Sequence, residues 1–155
     1  MNIVENNNSG KSILEVSHLS VAYGKVDALI NFNMRVNEGQ IVSVVGPNGA
    51  GKTTLLSAIM GVLSSQGNVD FDGEVQQSPQ VEYMVGKGLG LVPEKRELFS
   101  SMSIEDNLLL GAFQRYRRGD RKYKETLDEV YDIFPRLKER RTQASGTLSG
   151  GERQM

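Results

Sequence analysis

The chain has 155 residues, of which 38% are apolar and 24% charged, a composition that suits one ordinary globular domain with a real core and excludes a disordered chain. Its net charge of −1 gives no whole-molecule reason to expect nucleic acid or an acidic surface as partner, and the lack of Cys excludes disulfides and thiolate metal sites. MNIVENNNSGKS has neither the basic nor the apolar region of a secretory signal, and runs such as IVSVV are far too short to span a bilayer, so the expectation is a soluble, intracellular protein.

Residues 1–12 read as a polar, flexible tail. Ile13 to Gly24, ILEVSHLSVAYG, alternates as a strand or a bent strand pair, and INFNMRV fits a second strand closed by an Asn37-Glu38-Gly39 turn. Gln40 to Val45, QIVSVV, predicts a buried strand, being short, β-branched and bounded by Gly. TTLLSAIMGVL predicts a helix with Leu55, Leu56, Ile59, Val62 and Leu63 on one broad apolar stripe.

Beyond a Gly/Ser/Gln break at residues 64–67, GNVDFDGEV predicts a short strand with an Asp-Gly turn. PQVEYMVGKG fits a short helix and LGLV a buried strand. SIEDNLLLGAF predicts a helix with Ser103 as N-cap and Ile104, Leu108 and Ala112 on one face. KETLDEVYDIF sets Leu127, Val130, Tyr131 and Phe134 at helical spacing, and TQASGT is a polar loop leading into LSGGERQM. Mixed strands that lead into a strand–loop–helix unit make the fold α/β.

The sharpest chemistry is GPNGAGKTT: Gly46, Pro47, Asn48, Gly49, Ala50, Gly51, Lys52, Thr53 and Thr54. It satisfies G-x-x-x-x-G-K-[ST], a pattern that arises by chance at about 4 × 10⁻⁵ per starting position for average residue usage. The glycines let successive backbone N–H groups turn inward around phosphate oxygens, and the following helix adds its positive end. Lys52 is expected to reach the β- and γ-phosphates and the Thr53 hydroxyl to ligate Mg²⁺. At the other end, Ser149 suits a helix N-cap, and Gly150 and Gly151 allow close approach of backbone to a ligand.

Together, GPNGAGKTT and LSGGERQ resemble the Walker A and signature motifs of ABC-type ATPases, with a helical insertion between them, over about Ile13 to Met155. The resemblance implies a P-loop NTPase fold with an N-terminal antiparallel β-subdomain, a phosphate-loop core at about 13–93, a helical subdomain at about 94–147 and the start of the signature helix at 148–155. It implies ATP and Mg²⁺ as cofactors and puts Tyr23, in VAYG, where the family stacks an aromatic ring on adenine. Glu94 stands where most members carry the Gln that touches Mg²⁺ and the attacking water. VPE-x-R-x-x-F followed by M-[ST]-[IV]-E-x-N-L looks like the LivF-type subunit of branched-chain amino acid importers, in which Glu is common at that place.

By the same resemblance, Leu148, Ser149, Gly150, Gly151 and Glu152 contact the ATP of a second ABC ATPase subunit in a head-to-tail dimer. The span from Glu94 to Arg118 is the surface that meets a membrane permease, with Leu98, Phe99 and Met102 either apolar contacts there or core residues. A substrate-binding protein is an indirect partner, and the implied location is cytoplasmic, on the inner face of the membrane. Arg115 to Lys124, RYRRGDRKYK, suits nucleic acid or anionic lipid, but such a run is more commonly a solvated helix surface, and no direct nucleic-acid partner is expected. His18, on an early strand, reads as structural.

The resemblance also requires an apolar strand ending in Asp-Glu and a His after the signature, and neither pattern occurs in these 155 residues. The chain is therefore expected to be a fragment with no catalytic residue of its own, whose IVSVV strand leaves an apolar edge without its family neighbour. Two other readings stay open: a non-transport ABC ATPase of translation or DNA repair, and a catalytically dead nucleotide-binding module.

Overall fold

The computed structural model describes residues 2–4 as backbone, and residues 10–94 and 98–155 in full. They divide into two compact units, residues 1–91 and 92–155.

The first unit is built around a four-stranded antiparallel sheet in the order β3-β2-β5-β6, with β2 at Ser12–Tyr23, β3 at Val26–Asn37, β5 at Gln66–Phe71 and β6 at Glu74–Gln76. Long β2 is bent as the alternation of ILEVSHLSVAYG predicts. Its register with β3 shifts between Val16 and Leu19, where His18 takes a positive φ of 55°. Asn33 and Asn31 close the bulge: Asn33 Oδ1 accepts the His18 N–H at 2.9 Å, and the His18 ring lies 2.7 Å from Asn31 Oδ1. His18 is thus a bulge residue, in keeping with its structural reading. Asp72-Gly73 joins β5 to β6 with both residues at positive φ, 51° and 82°, the geometry that an Asp-Gly two-residue hairpin turn requires.

Helix α1 spans Lys52–Ile59 and packs Leu55, Ala58 and Ile59 on Val16, Leu19, Val21, Leu29 and Val69 of the sheet, with Met84 of α2 (Val81–Gly86) completing the core. The apolar stripe is narrower than the spacing predicts. Leu55 is fully buried, whereas Leu56, off the buried face of the helix, is 47% exposed, and Val62, beyond the helix end at Ile59, is 57% exposed. There the Val62 N–H bonds the Ser57 carbonyl and the Gly61 N–H that of Ala58, a Schellman closure. Gly61 has φ 79°, and a Cβ on it would lie 2.3 Å from the Pro79 carbonyl oxygen, so no larger residue fits.

Three expectations need correction. QIVSVV forms a strand only over Ser43–Val45 (β4), and it is not buried: Ile41 is 88% and Val45 57% exposed, with only Val44 packed against the core. Among the described residues its sole strand partner is β1, Asn2–Val4, which pairs antiparallel with it, so no sheet encloses it on both sides. The supposed tail is accordingly not without structure throughout, since Asn2–Val4 forms that strand and β2 opens at Ser12; residues 1 and 5–9 of the tail lie outside the described residues. LGLV forms no strand, and Val92 is 88% exposed: without a hydrogen-bonding neighbour, a short apolar run has nothing to hold it extended.

The second unit is helical. Its elements are α3 (Ile104–Gly111), α4 (Phe113–Arg117), α5 (Tyr123–Ile133) and α6 (Pro135–Glu139). Ser103 caps α3 as its sequence predicts, its hydroxyl accepting the Asp106 N–H at 3.0 Å. Ile104, Tyr131, Leu137 and Leu148 form the buried cluster, with Leu98, Leu108, Leu127 and Phe134 against it. Burial and the Glu105 carboxylate, which accepts the Tyr131 hydroxyl at 3.0 Å, push the Tyr131 phenol up to about 12.

Leu55→Ala should cost about 2–5 kcal/mol of unfolding free energy in urea titration, while its helix neighbour Leu56→Ala stays within about 0.5 kcal/mol. Equal losses at the two positions would contradict the narrow stripe.

Candidate functional site

Residues 46–51 bridge β4 and α1 as a loop whose backbone is bent by Gly49 and Gly51, at φ 83° and 86°, and Lys52, Thr53 and Thr54 form the first turn of α1. Only Gly51 is also held by contact: a Cβ there would lie 2.8 Å from the Ala28 carbonyl oxygen of β3, so the bare backbone sits directly against the sheet. The Gly51 carbonyl accepts the Leu55 N–H at 2.8 Å and opens α1, and Ala50 N–H bonds Pro47 O at 3.2 Å. The first turn of α1 carries no acidic residue, so its positive end is not offset locally.

Lys52 lies over this loop and donates to the carbonyls of Gly46 at 2.7 Å and Pro47 at 2.9 Å. The flexible ammonium is therefore held at the loop's mouth by neutral acceptors only. Thr53 is exposed at the start of α1, and the Tyr23 hydroxyl lies 3.4 Å from Thr54 Oγ1. Tyr23, 53% exposed, thus stands beside the loop. Glycine backbone, a lysine, a helix N-terminus and an exposed hydroxyl make a donor set that fits a polyphosphate and its divalent cation.

In the second unit, LSGGERQM forms a compact, internally hydrogen-bonded turn. Glu152 Oε2 accepts the Ser149 N–H at 2.9 Å while Ser149 Oγ accepts the Glu152 N–H at 3.3 Å, a reciprocal capping box. Arg140 donates to the other carboxylate oxygen at 2.8 Å, and the two side chains are only 24% and 15% exposed. The Ser149 backbone donor, then its hydroxyl, then Arg140 pull the Glu152 carboxyl down to about 2. Arg153 holds the turn from the other side, donating to the carbonyls of Leu148 at 2.9 Å and Gly146 at 2.5 Å.

The helical start read from this stretch is a 3₁₀ turn over Glu152–Gln154: Arg153 N–H reaches Ser149 O in the α-helical sense, but Gln154 N–H bonds Gly151 O one residue short. Gly150 and Gly151 are exposed beside it. Leu148 is buried in the helical core and so anchors the turn.

Several residues that shape this second site escape sequence reasoning. Ser145, 1% exposed, lies within TQASGT; its hydroxyl donates to the Phe99 carbonyl at 2.9 Å. Asn107 Nδ2 reaches Ser145 Oγ at 3.2 Å and the Ser103 carbonyl at 2.9 Å, while its Oδ1 accepts the Phe99 N–H at 3.0 Å. The capping-box spacing Ser149-x-x-Glu152 was the one available signal; the Asn107–Ser145 contact joins residues 38 apart and leaves no periodic trace.

Of the other candidates, Glu94 is exposed, in the second unit. Phe99 is 61% exposed, whereas Leu98 packs on the helical core. Residues 95–97 of the expected permease surface lie outside the described residues. Among the described residues no cluster of three or more acidic or His side chains could hold a metal alone, and no helix is long and apolar enough to cross a membrane.

Residues 29–155 match the family model of ABC transporters. The chain belongs to the ABC transporter family. It is 38% identical to the high-affinity branched-chain amino acid transport ATP-binding protein BraG of Pseudomonas aeruginosa and 32% identical to a probable branched-chain amino acid transport ATP-binding protein LivF of Archaeoglobus fulgidus. Each alignment covers 92% of this chain and 60% of the relative, so the chain spans about three fifths of their length. Among solved structures, the ATP-binding subunit of an ABC transporter superposes with a TM-score of 0.76 at 26% identity, covering 92% of this chain and 58% of that one. A nucleotide-free ATP-binding cassette of an ABC transporter gives 0.65 at 25% identity, covering 92% and 61%. The α/β ABC ATPase fold expected from the sequence is therefore the fold of this chain.

Glu152 fixes a pH dependence. Its folded pKa is depressed from the ordinary 4.5 to about 2, so its stabilisation is complete above about pH 4.5 and is lost as pH falls through about 2. Carboxyl NMR titration should give a midpoint near 2 for Glu152, and Glu152→Gln should remove that part of the acid dependence. A midpoint near 4.5 would mean the capping box is not formed in solution.

Proposed function

We propose that this chain forms the nucleotide-binding part of the ATPase subunit that powers an importer of branched-chain or related amino acids. The observation that carries the proposal is the pairing, in one chain, of a phosphate loop seated by Gly51 with a pre-capped LSGGE turn. The names of its relatives support the solute class.

Bound ATP supplies the phosphoanhydride whose cleavage drives transport. The loop Gly46–Thr54 wraps the phosphates with backbone N–H groups, and Lys52 exchanges two neutral carbonyls for charged phosphate oxygens, a stronger hydrogen-bonding arrangement. Thr53 offers its hydroxyl to Mg²⁺, Tyr23 offers its ring to the adenine, and Glu94 takes the role of the Gln that most family members carry. Ser149, Gly150 and Gly151 face the nucleotide of a second ABC ATPase subunit, so ATP closes a head-to-tail dimer. Glu94–Arg118 meets the permease at the inner face of the membrane, and the substrate-binding protein acts through that permease. The general base of hydrolysis belongs to the Asp-Glu strand of the family, which these residues do not contain.

The chain should therefore bind ATP without turning it over. Lys52→Ala should weaken a fluorescent ATP analogue by about a hundredfold, and Tyr23→Ala by about tenfold. Unchanged affinity in Lys52→Ala would remove the phosphate-loop assignment, and ATP turnover by the chain alone would refute the assignment of the base to other residues. Co-purification of the subunit with a polytopic membrane protein supports import; recovery with ribosomes or DNA would favour a non-transport ABC ATPase.

A further inference from the structure

Phe113–Lys124 carries Arg115, Arg117, Arg118, Arg121, Lys122 and Lys124 against one acid, Asp120, in a chain whose net charge is −1. The structure shows how that single acid is used. Asp120 accepts Arg115 Nε at 2.7 Å and the Lys122 N–H at 2.8 Å; the Lys122 donor first, then Arg115, hold its carboxyl below the usual carboxylate range. Arg115 also donates to Thr126 at 2.7 Å, so this pair pins the turn between α4 and α5. Arg117, Arg121, Lys122 and Lys124 are exposed, with no ion pair among the described residues.

Large apolar groups stand among these cations. Phe113 is 53%, Tyr116 52% and Leu110 42% exposed. The Arg121 guanidinium lies 4.7 Å from the Tyr116 ring centre and that of Arg117 6.0 Å from Phe113, while Tyr123 meets Tyr116 edge-on at 6.3 Å. Solubility alone is served by the cations and is not helped by exposed rings between them. Rings and aliphatic carbon flanked by guanidinium and ammonium groups match the headgroup layer of a bilayer, where the ring sits at the interface and the cation meets lipid phosphate.

We infer that the α4 surface and the turn after it, Phe113 to Lys124, form a docking site for an anionic lipid bilayer, adjoining the proposed permease surface and sharing its last residues, 113–118. Single-stranded nucleic acid also uses cations and rings, but it needs open ring faces for its bases, and here guanidinium groups lie over Tyr116 and Phe113. The basic patch is also short: Glu125, Asp128, Glu129 and Asp132 follow on α5, and Asp106 lies on α3, so no long track exists for a phosphate backbone. The inference takes only the site of action from the transport reading, and its test needs no permease and no nucleotide.

The full chain is sedimented with phosphatidylcholine vesicles and with vesicles containing about a third phosphatidylglycerol. Binding should require the anionic lipid, weaken on raising NaCl from about 50 to 500 mM, and fall at least tenfold in R121Q/K122Q/K124Q. Phe113→Ser should reduce the salt-resistant part of the binding while keeping the salt-sensitive part. Far-UV circular dichroism and nucleotide affinity are measured on each variant; both should match the parent, so a failure of lipid binding is separable from a failure of the ATP reading. Equal binding to both vesicle types, no binding, an unaffected triple variant, or tighter binding to single-stranded DNA than to the anionic vesicles would each overturn the inference.

Discussion

Residue 51 has no side chain, and the seat of the phosphate loop on its sheet follows from that. The Gly51 backbone approaches the Ala28 carbonyl so closely that a Cβ would meet it at 2.8 Å, and its φ of 86° turns the chain into α1. Helix α1 then drops Leu55, Ala58 and Ile59 onto β2, β3 and β5, so the helix that presents its N-terminus to a ligand is the one that closes the core. Stability and binding geometry are thereby joined at one backbone position: burial of Leu55 fixes the helix, and the helix fixes where Lys52 can reach.

The second unit reaches the same end by different means. Its LSGGE turn is not pressed on a sheet but tied by side chains: Glu152 binds Ser149 and Arg140, and Arg153 gathers the carbonyls of Leu148 and Gly146. Asn107 and Ser145 extend the ties to the Phe99 backbone, in the span expected to meet a membrane partner. Ser145, the buried polar group of this network, is stabilising only when its partners are supplied, which favours one arrangement of these loops.

What was legible in the sequence is what depends on neighbours along the chain. The Asp72-Gly73 hairpin, the Ser103 cap, the helical faces of Leu127 and Tyr131 and both glycine-rich motifs are local patterns with local causes. IVSVV and LGLV were misread for the opposite reason. A short apolar run suggests extended backbone, but burial and pairing come from strands elsewhere, and here β4 finds only β1 while LGLV finds none among the described residues. Arg140, Asn107 and Ser145 were missed because their partners are distant in sequence and their types are ordinary for loops and helix surfaces.

The antiparallel pairing of Asn2–Val4 with Ser43–Val45 makes access to one edge of β4 a question of competition. A strand carried on the same chain is present at its target at an effective concentration of about millimolar, whatever the bulk concentration of protein. Any other strand that joins β4 along that edge must therefore outbid a resident ligand rather than fill an open position. The edge that β1 covers is thus shielded from chance intermolecular pairing, whereas the opposite edge of β4 has no strand partner among the described residues.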